Sequence, residues 1–216
     1  MILSLSTYLE NFNNSEMYIT DSVEEMYSND KQSIIKLNFL SNFTNTINKN
    51  KTFFQFHSKT KDNVFCLPLG VYEESLNNIL NVSSTNKSIL CSSQYSNSTR
   101  LNQTIPNFDF VEYFEYSDNY SYLQNISNSK YVLSPHGINQ DCYRHYESMY
   151  LSAIPITLKH DKLKHLEDMP VLILDSWDQL SEELLLNSYD TLINKSREKL
   201  DMNYWINLIR SCNGTD

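Results

Sequence analysis

Residues 130–157 read KYVLSPHGINQDCYRHYESMYLSAIPIT. Tyr131–Leu133 and Ile154–Ile156 are short, unbroken apolar runs, the pattern of strands in a parallel sheet covered on both faces. Between them lie a polar turn and a helical stretch, so the segment is one βαβ crossover. In open α/β sheets ligands bind beyond the carboxyl ends of the strands. The turn Pro135–Gln140 sits at such an end, directly before a helix whose free N–H groups and dipole favour anions. Gly137 lets the backbone either turn or approach a ligand closely. Along the helix, Cys142, Tyr146, Met149, Tyr150 and Ala153 fall at core spacing. Gln140, Arg144 and Glu147 share another face. An arginine fork suits phosphate, and a carboxylate accepts hydrogen bonds from the vicinal hydroxyls of a ribose. The same spacing also fits an ion pair on a solvated helix face, worth a few tenths of a kcal/mol. Spacing alone leaves both readings open.

Similar runs flank this crossover. Thr52–Phe56, Val64–Gly70, Ser88–Ser92 and Val171–Leu174 have strand composition. Glu74–Leu80, Tyr120–Asn128 (with Tyr122, Leu123 and Ile126 inward) and a stretch from Ser181 suit helices, the last with Ser181 as N-cap. Ser33–Ile47 fits a helix or a strand–helix pair. The form of the aromatic run Phe108–Phe114 stays undecided. A last helix over Leu200–Ile209 would present Tyr204, Trp205, Leu208 and Ile209 as its apolar stripe. The polar stretch Asn81–Lys87 marks a junction.

The chain has 216 residues and a formal net charge of -9. Without a basic run it is a poor nucleic-acid binder, because such binding rests on phosphate neutralisation. The four cysteines, Cys66, Cys91, Cys142 and Cys212, form no CxxC pair and no zinc spacing, so free thiols are expected. The opening MILSLSTYLENF has no basic n-region and no long apolar run. A soluble, cytoplasmic chain without a membrane span is expected.

The crossover resembles the C-terminal motif of exostosin-like glycosyltransferases. Ser134, Pro135, Gly137, Asp141, Arg144, Glu147, Tyr150, Leu151, Ile154, Pro155 and Ile156 match it in register and without a gap. Leu67–Gly70, Asn97–Arg100, Pro170–Leu174 with Trp177, and Asn203–Trp205 resemble further parts of that family, over about residues 60 to 210. The resemblance implies an α/β, GT-B-like fold with a parallel Rossmann-like C-terminal domain and a reduced α/β N-terminal part. The divisions expected are 1–85 on the acceptor side, 86–186 for nucleotide-sugar binding, and 187–216 as helices packing back. It also implies transfer of a sugar from a UDP- or GDP-linked donor, the co-substrate, to a glycan or glycoprotein acceptor. Inversion, with no cofactor and no metal, is part of that expectation, and no Asp-x-Asp pair is present. Arg100, His136, Gly137, Asp141, Arg144 and Glu147 are then the donor-binding candidates.

Asn139, Tyr143 and Tyr146 depart from the motif, where the family has glycine, histidine and tryptophan. His136 either meets a phosphate or sugar oxygen or serves structure alone. An inverting transferase needs a general base. His57, Glu73 and Glu74 are candidates, beside Asp21, Glu24 and Glu25. His145, His160 and His165 are expected on solvated faces. A non-catalytic nucleotide-sugar or glycan-binding module is the alternative, as is a partner subunit of a longer glycosyltransferase. The short N-terminal part also fits a homodimer, or a partner glycosyltransferase that completes the cleft.

Overall fold

The computed structural model describes residue 2 and residues 18–20, 33–36, 51–55, 64–82, 86–95, 105–137 and 140–212. Their backbone forms two parallel sheets. The first pairs β1 (Tyr18–Thr20), β2 (Ser33–Lys36), β3 (Lys51–Gln55) and β4 (Val64–Leu67) in that order, with Phe53 opposite Ile35 and Phe65. The Ser33–Ile47 stretch thus begins as a strand, and its remainder lies outside the described residues. After β4 the chain turns at Gly70, whose φ of 78° is the left-handed conformation that glycine adopts freely. It then enters α1 (Ser75–Asn81).

The second sheet holds β5 (Ile89–Tyr95), β6 (Val111–Glu115), β7 (Ser129–Leu133), β8 (Ile154–Leu158) and β9 (Leu172–Leu174), in the order β6-β5-β7-β8-β9 and all parallel. The aromatic run left undecided by composition therefore ends in an edge strand. The helices are α2 (Asn119–Asn128), α3 (Tyr143–Tyr150), α4 (Glu182–Ile193) and α5 (Met202–Cys212). This is an α/β, Rossmann-like arrangement. Strand order reverses at β5, so one face receives the β5–β6 connection and the other receives α2 and α3, as right-handed crossovers require. The packing agrees: Ile105, Phe108 and Phe110 join the cluster of Tyr131, Leu133, Ile154, Ile156 and Leu185. Leu123, Ile126, Tyr146 and Met149 join Val132 and Val171 on the opposite face.

Alternate strand residues therefore feed two cores, which is why the runs are apolar throughout. Pro155 fits inside β8 because its ladder with β9 begins only at Ile156 opposite Leu172. The Ile156 carbonyl accepts the Ser134 N–H on the β7 side. Leu69, Val71, Ile79 and Val82 are buried in the α2–α3 core, so the segment after β4 packs on the second sheet. Ile2 bridges Asp201. Ser181 caps α4 by accepting the Leu184 N–H, as expected. In α5 the buried residues are Met202, Trp205 and Ile206, while Tyr204 and Leu208 are half-buried. Trp205 of the expected stripe is thus buried, joined by Met202 and Ile206, and the Ile209 side chain lies outside the described residues. Among the described residues, no helix is long and apolar enough to cross a membrane.

Candidate functional site

The sheet's reversal point lies between β5 and β7, and the chain leaving β7 runs from Ser134 into α3. Here α3 starts from Cys142, with Arg144 in its first turn and Glu147 one turn on. Neither side chain faces solvent: Arg144 is 6% exposed and Glu147 3%. The solvated-face reading of this pair is therefore excluded. The helix buries its polar side because α1 and α2 cover it.

A single tyrosine joins the two charges. The Tyr122 hydroxyl, from α2, donates to Glu147 Oε2 at 2.8 Å and accepts from Arg144 Nε at 3.1 Å. The Arg144 guanidinium carbon also stands 5.4 Å from the Tyr122 ring centroid, within cation–π range. Ser75, at the start of α1, donates to Glu147 Oε1 at 2.7 Å. Asn119 donates to Ser75 Oγ and accepts from Asn78, so the network ties α1, α2 and α3 together. Arg144 Nη1 is buried and has no acceptor. Among the described residues no carboxylate pairs with this guanidinium. A buried guanidinium nitrogen without an acceptor is costly, and an anionic ligand that accepts from Nη1 would remove that cost.

A second cluster fixes the loop before α3. Asp141 Oδ2 accepts the Leu69 N–H at 3.0 Å and the Tyr146 hydroxyl at 2.8 Å, and stands 3.5 Å from His165 Nε2. Tyr146 also meets His165 at 2.9 Å. Burial pushes the Asp141 carboxyl pKa up, but the His165 hydrogen bond and charge, with His145 and Tyr146, hold it below the ordinary value. His145 is fully buried, with Nδ1 2.7 Å from Ser134 Oγ and Nε2 3.1 Å from the Gln140 carbonyl. Burial pulls its pKa down, yet Cys142, Asp141 and the Gln140 carbonyl raise it above the usual value. His145 and His165 thus depart from the solvated faces expected for them. Their rings pin the loop to β7 and to Asp141, a role hydropathy alone does not reveal. His160 caps the 3₁₀ turn Asp161–Leu166 by accepting the Lys162 N–H.

Of the remaining candidates, His136 is half-buried with Nδ1 3.2 Å from the Gly137 carbonyl. Gly137 does not adopt a positive φ, and a Cβ built there meets nothing within 4 Å. Its glycine is therefore not needed for a turn; that role falls to Gly70. Glu73 and Glu74 are exposed in the turn before α1. The charge of Glu73 reaches Tyr143, whose ring lies 5.4 Å from that of Tyr72. Arg100 and His57 lie outside the described residues, as do Asp21, Glu24, Glu25 and Asn139. Sequence reasoning missed Tyr122 and Ser75 as members of the site. For Tyr122 a signal existed: a tyrosine turned inward needs a partner for its hydroxyl.

Cys91 is a buried thiol, its pKa raised by burial, and the half-buried Cys142 Sγ stands 3.6 Å from both Ser134 Oγ and His145 Nε2.

A search of curated proteins found no match. A family model, the RXYLT1 C-terminal domain, matches residues 69–211. The match spans the segment after β4, the whole second sheet and the Arg144–Tyr122–Glu147 network, and it relates the chain to glycosyltransferases. The chain belongs to the RXYLT1 C-terminal domain family.

Proposed function

We propose that this chain transfers a sugar from a nucleotide-diphosphate donor to a hydroxyl of a glycan or glycoprotein. The donor, UDP- or GDP-linked, occupies the carboxyl end of the second sheet in a GT-B-type arrangement, and the first sheet serves the acceptor. The observation that carries the reading is Arg144: buried, held at Nε, and left without an acceptor at Nη1. Family membership supports the same class. In this reading Arg144, Arg100 and the α3 N-terminus stabilise charge growing on the diphosphate leaving group. Glu147 takes the ribose hydroxyls as Ser75 and Tyr122 release its oxygens. A base among His57, Glu73 and Glu74 removes the acceptor proton, and the anomeric centre inverts. No metal is called for.

Turnover tests this directly. Incubation with a panel of UDP- and GDP-sugars should release UDP or GDP slowly from at least one, with or without chelator. Loss of release in chelator would contradict the metal-free mechanism. Binding without release, in the presence of an acceptor panel, would favour a non-catalytic binding module. Gly137 offers a finer check. Because its backbone suits any residue and its Cβ position is open, Gly137→Ala should raise stability slightly, by up to about 0.5–1 kcal/mol. A donor that approaches this backbone should then bind more weakly. Calorimetry on the variant reads both effects.

A further inference from the structure

We propose that Tyr122 is the positioning residue for the anion-binding arginine, presenting the outer donors of Arg144 to a diphosphate. This rests on the donor-binding reading of Arg144. Three observations carry it. The hydroxyl accepts from Nε at 3.1 Å, and the ring stands 5.4 Å from the guanidinium carbon, so two contacts of different kind fix one plane. The hydroxyl proton is committed to Glu147 Oε2 at 2.8 Å, which leaves an oxygen lone pair for Nε–H. Nη1 is buried without an acceptor, although the side chain around it is held.

The arrangement has a chemical logic. A direct Glu147–Arg144 pair would neutralise the fork and compete with phosphate. The intervening tyrosine keeps the two charges in one network while sparing the outer guanidinium nitrogens. It also separates the labour of the site: Glu147 is oriented by two hydroxyls, Ser75 and Tyr122, and Arg144 by one hydroxyl and one ring face. Arginine carries large rotamer entropy, and fixing it before the ligand arrives raises affinity for the group it grips.

The test uses the full chain and simple probes: pyrophosphate, UDP, GDP, uridine and guanosine. Tyr122→Phe keeps the ring and removes the hydroxyl. Measured below the variant's own melting temperature, affinity for pyrophosphate, UDP and GDP should fall about 10-fold, or about 1.4 kcal/mol. Affinity for the nucleosides, whose ribose meets Glu147 in the proposed function, should fall by clearly less. Combined with Arg144→Ala, the substitution should add no further loss. Equal losses for nucleosides and pyrophosphate, or additive losses in the double variant, would overturn the proposal. The wild-type protein gives a reading that needs no variant. By NMR, Arg144 Nε–H should be protected from solvent exchange with and without pyrophosphate, and an Nε–H that exchanges freely in the ligand-free protein would also overturn it. If wild type binds none of the diphosphates, the donor-binding reading itself fails; if it binds and Tyr122→Phe binds equally well, only the role of Tyr122 fails.

Discussion

Ser152 sits where the chain leaves α3 with a φ of 58°, a left-handed conformation that costs a non-glycine residue about 1 kcal/mol. Its N–H reaches the Met149 carbonyl at 3.2 Å, and the Ala153 N–H reaches Ser148 at 2.8 Å, closing the helix in a Schellman turn. Ser152→Gly should therefore stabilise the protein by about 0.5–1 kcal/mol, read as a rise in chemical-denaturation midpoint. Lys87 closes two helices at once. Its Nζ donates to the Ser127 carbonyl at 2.8 Å and to Leu151 at 2.7 Å, at the ends of α2 and α3. Burial and the Arg197 charge bring its pKa down to about 8, so it still donates as an ammonium at neutral pH. Lys87→Ala leaves both carbonyls without this donor and should cost about 1–3 kcal/mol in equilibrium unfolding.

In α3 the inward face was legible from spacing, and Tyr146, Met149 and Ala153 are buried as that spacing requires. The burial of its polar face was not. Arg144 and Glu147 look like surface residues until Ser75, 72 residues before Glu147, and Tyr122, 25 residues before it, arrive in space. Pattern analysis sees periodicity within one element and not the element that covers it. The strands were legible for a related reason: a sheet covered on both faces imprints unbroken apolar runs on each strand. His145 was misjudged because an imidazole between Ser134 Oγ and a backbone carbonyl has no hydropathy signature. Its raised pKa has a consequence for stability. A histidine with a folded pKa above the unfolded value of about 6.5 contributes stability below that pH and loses it as pH rises through the folded value. Asp141 works the other way. Its depressed pKa contributes stability above about pH 3.9, lost as pH falls through the folded value. The His145 contribution to melting temperature should therefore decline as pH rises above about 6.5, and His145→Asn should remove that decline from the pH profile. Parallel pH profiles for wild type and variant would contradict the assignment.

Across the molecule, the segment between the two sheets belongs physically to the second. Leu69, Val71, Ile79 and Val82 fill its core, the Leu69 N–H binds Asp141, and Ser75 binds Glu147. A fragment of residues 68–216 should melt cooperatively, whereas one of residues 86–216 should not, since it exposes that core and strips partners from two buried carboxylates. Calorimetric scans of the two fragments distinguish these outcomes. The site itself draws on β7, α1, α2 and α3, so its chemistry exists only when all four are assembled. What joins fold to function is the buried, partly unsatisfied Arg144 at the carboxyl end of a parallel sheet. Isothermal titration of UDP and GDP into wild type, Arg144→Ala and Glu147→Ala, each shown to be folded, measures its role. At least one nucleoside diphosphate should bind wild type below millimolar concentration, and each substitution should weaken it by at least about 10-fold. No binding to wild type, or unchanged affinity in both variants, would contradict the assignment of this site.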